Sequence, residues 1–201
     1  MKKLLAATAV TALMTTGAYA ATFSGSFAIS GDAFSDPGLV VSANPTSGTG
    51  TFNIANVGES ITFALFDIWT AEGTVNSDDL IPQSINVDFD MTSPEANGTL
   101  GGSSVGESMF FGLFQGGSVS WGSPLSLLFG NGGQLDLALN DADFNWGLFG
   151  TTPGQKHGAT INLTATYVSE SIAPVPLPAT GLLLIAGLGG LAVARRRKKA
   201  A

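Results

Sequence analysis

The sequence contains no cysteine and only one histidine, His157. The missing thiols exclude disulfides, thiolate nucleophiles and cysteine metal ligands. A lone histidine cannot build a His-rich metal site, and its setting in Pro153-Gly154-Gln155-Lys156-His157-Gly158 predicts an exposed loop residue. The fold therefore has to be stabilised by its hydrophobic core alone.

Positive charge is also scarce between the two ends of the chain. Seven of the eight Lys and Arg residues lie at positions 2–3 and 195–199, whereas all 15 Asp and Glu lie between them with Lys156, a formal charge of about −14. Phosphate binding depends on basic patches, so we expect no nucleic-acid partner. Neutral sugars, cations and other proteins remain open as ligands.

The first 20 residues have the pattern of a secretory signal peptide. Lys2 and Lys3 precede an apolar run over residues 4–14, and Ala18-Tyr19-Ala20 supplies the small-residue A-x-A cleavage site. We expect signal peptidase to recognise Ala18 and Ala20, so that the mature chain begins at Ala21.

The last 28 residues, 174–201, form a three-part tail. An extended, proline-spaced segment comes first, because alternate prolines fix φ and remove backbone donors; it consists of Val175, Pro176, Leu177, Pro178 and Ala179. An uncharged apolar segment follows and predicts a transmembrane helix over about residues 179–194, near the short end of the span that a bilayer requires. A basic stop-transfer end closes the tail and is expected to stay cytoplasmic; it consists of Arg195, Arg196, Arg197, Lys198 and Lys199.

This tail resembles the PEP-CTERM class of sorting signals, in the variant named for its VPLPA motif, which residues 175–179 reproduce letter for letter. The resemblance implies export, transient anchoring in the membrane and processing near the motif by an exosortase-like protease. It further implies a final location at the cell surface or in an exopolysaccharide matrix. It covers the tail only.

The same letters allow a second interpretation. Leu177-Pro178-Ala179-Thr180-Gly181 fits the LPxTG signal of sortase substrates, which would imply cleavage between Thr180 and Gly181 and attachment to cell wall. Val175-Pro176 extends the match beyond that core and the signal peptide is short, so the exosortase interpretation is favoured. A plain membrane anchor is the third alternative.

Residues 21–173 show strand periodicity almost throughout. Apolar and polar residues alternate over residues 83–92, 135–139 and 160–168, which predicts half-buried strands. Residues 60–69 are apolar on both faces and predict a central strand that is covered on both sides. Five more strands are expected at residues 22–30, 50–55, 108–114, 118–121 and 125–129. Turns are expected at Asn97-Gly98, Gly116-Gly117 and Asn131-Gly132-Gly133, the last joining a hairpin. This pattern predicts an all-β fold: a single antiparallel β-sandwich or jelly-roll domain, followed by the C-terminal transmembrane helix.

Residues in this domain that could support chemistry are few. Residues 102–106 match G-x-S-x-G, but they are expected in a flexible loop without the helix and partners that the motif needs. Asp88 and Asp90 share one strand face, as solvated charges commonly do. We therefore expect no catalytic residues and no enzyme activity.

A weak calcium site is the one cofactor hypothesis. Asp141, Asp143 and Asn145 match the first ligand positions of an EF-hand loop, but the Gly and Glu required later in that motif are missing, so only a looser oxygen-ligand site remains open. No other metal or cofactor is expected.

Aromatic residues could form a sugar-stacking platform, although aromatic residues in β-proteins mostly belong to the core. The candidates are Trp69, Trp121, Trp146, Phe110, Phe111, Phe114, Phe144 and Phe149. Taken together, the sequence predicts a non-enzymatic, exported surface or matrix protein. The alternatives are a sortase substrate and a polysaccharide-binding module that uses calcium.

Overall fold

The computed structural model of the protein describes residues 20–171. Residues 1–19 of the expected signal peptide, the VPLPA segment, the expected transmembrane helix and the basic end lie outside these residues. Within residues 20–171, no helix has the length and apolar character needed to cross a membrane.

Eleven strands form the described part of the chain. They are β1 Ala21–Ser30, β2 Val41–Asn44, β3 Ser47–Ile54, β4 Ser60–Thr70, β5 Gln83–Ser93, β6 Glu95–Met109, β7 Phe114–Trp121, β8 Leu125–Phe129, β9 Gly133–Leu139, β10 Ala142–Leu148 and β11 Ala159–Ser169, with short 3-10 turns at Asp32–Phe34 and Gln155–His157. They make two antiparallel sheets: sheet one, in the order β10-β7-β6-β5-β1-β3, and sheet two, in the order β2-β4-β11-β9-β8. The prediction of an all-β fold with antiparallel strands is confirmed.

Side chains from both sheets share one hydrophobic core. On β5, Ile85 and Val87 are fully buried while Asp88 and Asp90 are exposed, as the alternation predicts. The ring of Phe23 on β1 lies 5.4 Å from that of Tyr167 on β11, which joins the sheets at one end. The hairpin of β8 and β9 is present with the expected pairing.

The prediction that residues 60–69 form a strand covered on both faces is wrong for β4. Ser60, Thr62 and Ala64 are exposed, so the strand is not covered on both faces. The register against β11 shifts between Ala64 and Phe66, and this bulge inverts the side-chain alternation. Odd-numbered apolar residues face the core before the bulge and even-numbered ones after it. Apolar residues on both faces therefore reflect a change of phase.

Strands β6 and β7 show that several glycines mark close approach instead of turns. The expected turns at Asn97-Gly98 and Gly116-Gly117 and the expected strand over residues 108–114 are wrong, because the hairpin turn occupies residues 110–113. A Cβ on Gly117 would lie 2.4 Å from the Phe144 ring, and one on Gly98 would lie 2.9 Å from Leu125. A side chain at position 117 would collide with the buried Phe144 ring, and one at position 98 would press on the flexible end of Leu125, so both glycines mark close approach inside a strand.

The β6–β7 turn and the last described residue lie at opposite ends of the sheets. Thr92 of β5 pairs with Glu95 at the start of β6, Gln83 pairs with Ser104, and β6 continues beyond it to Met109. At the other end, the amide of Asn131 in the β8–β9 turn donates to Ser171 Oγ at 2.9 Å. Ser171, the last described residue, therefore lies at the end remote from the β6–β7 turn.

Candidate functional site: an exposed phenylalanine cluster

The β6–β7 turn and the end of β10 carry a continuous patch of exposed apolar side chains. We call it the apolar rim; it consists of Met109, Phe110, Phe111, Phe114, Leu148 and Phe149. Met109 pairs with Phe114, and Phe114 pairs with Leu148, so three strands bring these residues together. Contiguous exposed apolar patches are a common mark of interaction surfaces.

The backbone of the rim is also unusual. Phe110, Phe111 and Phe149 have φ values of 49°, 60° and 58°, in the left-handed region that bulky residues rarely occupy. Each such residue costs about 1–2 kcal/mol relative to a right-handed conformation. Their side chains are 73%, 112% and 76% exposed, so core packing does not compensate for this cost. Asparagine or glycine would adopt this backbone conformation at a lower cost.

Trp146 extends this aromatic surface along the outer face of sheet one. Three atoms of its indole lie 2.6–2.8 Å from the position that a Cβ on Gly116 would take, so the ring rests directly on the glycine backbone. Phe114 is on the same face, two residues away along β7. Glu107 pairs with Gly116 across the sheet, so its side chain leaves the same face of the sheet as the position on which the indole rests. The arrangement combines aromatic surface with a hydrogen-bond acceptor.

Asn145 locks the strand that carries Trp146. It is fully buried with φ 56°, where the β10–β7 register shifts between Phe144 and Gly147. Its Oδ1 accepts from the Thr70 amide at 2.9 Å, and its Nδ2 donates to the carbonyls of Thr152 at 2.6 Å and Gly154 at 3.0 Å. The side chain thus ties β10 to β4 and to the following loop.

The three residues of the calcium hypothesis lie in different environments. Asp141 and Asp143 are exposed, and Asp141 Oδ1 accepts from the Trp121 amide at 2.8 Å, whereas Asn145 is buried and engaged by backbone groups. Across residues 20–171, no group of three or more His, Cys, Asp or Glu is placed to hold a metal ion.

The aromatic platform is partly as expected. Phe110, Phe111, Phe114 and Phe149 lie together with Trp146 nearby, but Phe144 belongs to the core. Trp121 packs edge-on against Phe66 at 6.3 Å. Neither side chain can belong to an exposed platform.

The G-x-S-x-G segment is not a loop. Residues 102–106 lie within β6, and Ser104 is buried against the strand's neighbours. The segment pairs with β5 on one side and β7 on the other. It therefore lacks the strand-to-helix turn on which this motif presents a nucleophile. His157 is exposed in its 3-10 turn, as predicted.

Negative charge surrounds the rim's end of the domain. Burial raises the pKa of Glu72 above its ordinary value of 4.5, the Val40 amide that donates to Oε1 at 2.7 Å opposes this, and Asp79, Asp36 and Asp78 raise it further. Segment 72–79 lies beside the rim's strands, since the Val75 amide donates to Gln115 and the Gly106 amide to the carbonyl of Asp79. Anionic partners are therefore disfavoured at this end.

Comparison with known proteins identifies the tail. Residues 174–198 match the family model for the PEP-CTERM protein-sorting motif. The match confirms the resemblance that the VPLPA segment indicates, and it covers none of the residues that the structure describes. No curated protein and no solved structure matches the chain.

Proposed function

We propose that this chain, which carries a PEP-CTERM protein-sorting motif, is a non-enzymatic exported protein that an exosortase-like system sorts to the cell surface or the extracellular matrix. The match over residues 174–198 is the observation that carries the proposal. Two antiparallel sheets with a shared core support a β-sandwich as the exported domain. Its large excess of acidic residues suits a soluble surface protein.

Each part of the tail has a physical role in this proposal. Pro176 and Pro178 keep the motif extended, the form in which proteases bind substrates. The apolar segment at about residues 179–194 halts the chain in the bilayer, and Arg195 to Lys199 hold its end in the cytoplasm. The last strand, β11, ends at Ser169, and residues 170–174 separate it from Val175, so the motif follows the domain closely in sequence.

The test is intact mass and C-terminal peptide mapping of the protein from its native host. Processing at or near residues 175–179, without wall peptide, is expected. A Pro176→Ala, Pro178→Ala double variant should accumulate unprocessed, whereas Pro153→Ala, a change at an exposed proline of the domain, should not. An end at Thr180 linked to wall peptide would establish the sortase alternative, and retention of Arg195 to Lys199 would establish a plain anchor.

A second candidate function, binding of a neutral exopolysaccharide, is favoured by the indole of Trp146 resting on Gly116. The exposed part of such a ring can pack against the C–H face of a sugar, and Glu107 can accept from its hydroxyls. The acidic surface disfavours uronic-acid polymers.

Sedimentation with neutral and uronic-acid polysaccharides tests this function, with and without calcium. Trp146→Ala should abolish binding to the neutral polymer, and Trp69→Ala on β4 should not. Equal binding by both variants would overturn the site, and a strict calcium requirement would revive the role of Asp141 and Asp143.

A further inference from the structure

A cleft of about 540 Å³ lies between the two sheets, at the side where β3 faces β4. Gly50 and Phe52 of β3 and Phe63 and Leu65 of β4 form its walls, and Met91 and Leu163 lie at its floor. Its volume falls within the range of small-molecule sites, and protein cores seldom leave so much space unfilled.

The cleft exists because two neighbouring core-facing positions have no side chain. Gly25 pairs with Gly50, between the Phe23–Phe52 and Phe27–Gly48 pairs. A Cβ on Gly25 would lie 2.7 Å from the carbonyl oxygen of Asp90 and 2.9 Å from Met91 Cα, so the close approach of the β5 backbone requires that glycine. A Cβ on Gly50 would meet no atom within 4 Å. The fold therefore does not need glycine at position 50, and the residue leaves the cleft open.

The cleft is elongated along the strands and opens at the side. β3 is the last strand of sheet one, and β2 pairs with β4 only over residues 67–70. The lining runs along β3 from Gly48 to Phe52, about 13–17 Å of strand at about 3.3 Å per residue. Such a slot suits a flexible chain better than a ring system.

Hydroxyl groups surround the outer side of the same glycine pair. A depression of about 350 Å³ is lined by Ser24, Ser26, Thr49, Thr51 and Thr92, and Gly25, Ser26, Thr49, Gly50 and Thr51 line both this depression and the cleft. No charged side chain lines either space. The interior rejects polar groups, because they would lose water without gaining partners. The hydroxyl groups of the depression can hydrogen-bond to a neutral polar group. The negative charge of the domain repels an anionic one.

We propose that this cleft binds an uncharged amphiphile, with its single aliphatic chain between the sheets and its hydroxylated head group against the serines and threonines around Gly25 and Gly50. The proposal is independent of the sorting function and of the apolar rim. Binding requires that the aliphatic chain of the ligand displaces water from the apolar walls of the cleft. It should therefore show a negative heat-capacity change.

The test uses protein isolated from its host without detergent, titrated calorimetrically with octyl glucoside below its micelle concentration. Gly50→Leu places a side chain in the cleft and should weaken binding at least tenfold while thermal stability is kept or raised. Gly73→Leu is the matched control, because Gly73 also has open space and no left-handed backbone, and it should bind as the wild type does. Octyl sulfate, with the same chain and an anionic head, should bind at least tenfold more weakly than octyl glucoside.

Four outcomes would overturn the proposal, three of them its site and one its head group. Equal affinity of wild type and Gly50→Leu would place binding elsewhere, and loss of binding in Phe111→Asn would place it on the apolar rim. A dimer that Gly50→Leu dissociates, seen by light scattering, would make the cleft a contact between copies. Equal affinity for octyl sulfate would overturn the assignment of the head group.

Discussion

Replacing Asn145 by alanine removes the side chain that joins β10 to β4. Thr70 is fully buried, so its amide cannot turn to water after the loss of Asn145 Oδ1. An orphaned buried donor costs about 1–3 kcal/mol. The carbonyls of Thr152 and Gly154 are half-buried and reach water more easily, which adds about 1 kcal/mol in all.

The backbone adds a separate cost. Asn145 has φ 56°, a conformation that asparagine tolerates and that costs alanine about 1–2 kcal/mol. We therefore expect Asn145→Ala to reduce the free energy of unfolding by about 3–6 kcal/mol, a large share of the about 5–15 kcal/mol typical of a domain. Asn145→Gly loses the same hydrogen bonds but tolerates the backbone, so its loss should be about 1–2 kcal/mol smaller.

Urea unfolding followed by tryptophan fluorescence measures these differences by linear extrapolation. Asn97→Ala, a change at an exposed asparagine of β6, is the control and should stay within about 0.5 kcal/mol of the wild type. A loss below about 1 kcal/mol for Asn145→Ala would refute the conclusion that the Asn145 hydrogen bonds hold β10 to β4. Equal losses for alanine and glycine would refute the backbone contribution.

Three further predictions concern pH, packing and the rim. Because the pKa of Glu72 is raised in the folded state, the folded protein binds that proton more tightly than the unfolded chain, and stability should fall as pH rises from 4.5 through the folded pKa. Glu72→Gln should flatten this decline in urea midpoints between pH 4 and pH 7, and parallel curves would contradict it. Gly117→Ala should cost about 1–3 kcal/mol in thermal unfolding through collision with Phe144, whereas Gly50→Ala should cost nothing; equal losses would show that close approach is not the reason for Gly117. Phe111→Asn should keep or raise stability by up to about 1 kcal/mol and lower the binding of a hydrophobic dye, and a clear destabilisation would mean that this ring packs in the fold.

Linear segments and strand alternation could be read without a structure. The sorting motif at residues 174–198 is such a segment, because extended motifs and apolar spans act through local sequence, and the family match confirms it. The strands with one clean phase, such as β5 and β11, were predictable because one face of each is buried throughout. The signal peptide and the transmembrane helix remain predictions.

Tertiary structure decided the rest. The phase change at Ala64 depends on the register with β11, which no local pattern reports. Glycine in a turn and glycine beneath a ring look alike in sequence, and only the position of Phe144 and Trp146 distinguishes them. The sequence predicted a strand over residues 108–114, whereas the structure has an exposed turn at Phe110-Phe111-Gly112, and the meeting of this turn with Phe149 depends on strand order. The exposure of the apolar rim and the open space at Gly50 depend on which side chains face these residues. Those neighbours are set by the pairing and packing of strands that are distant in sequence.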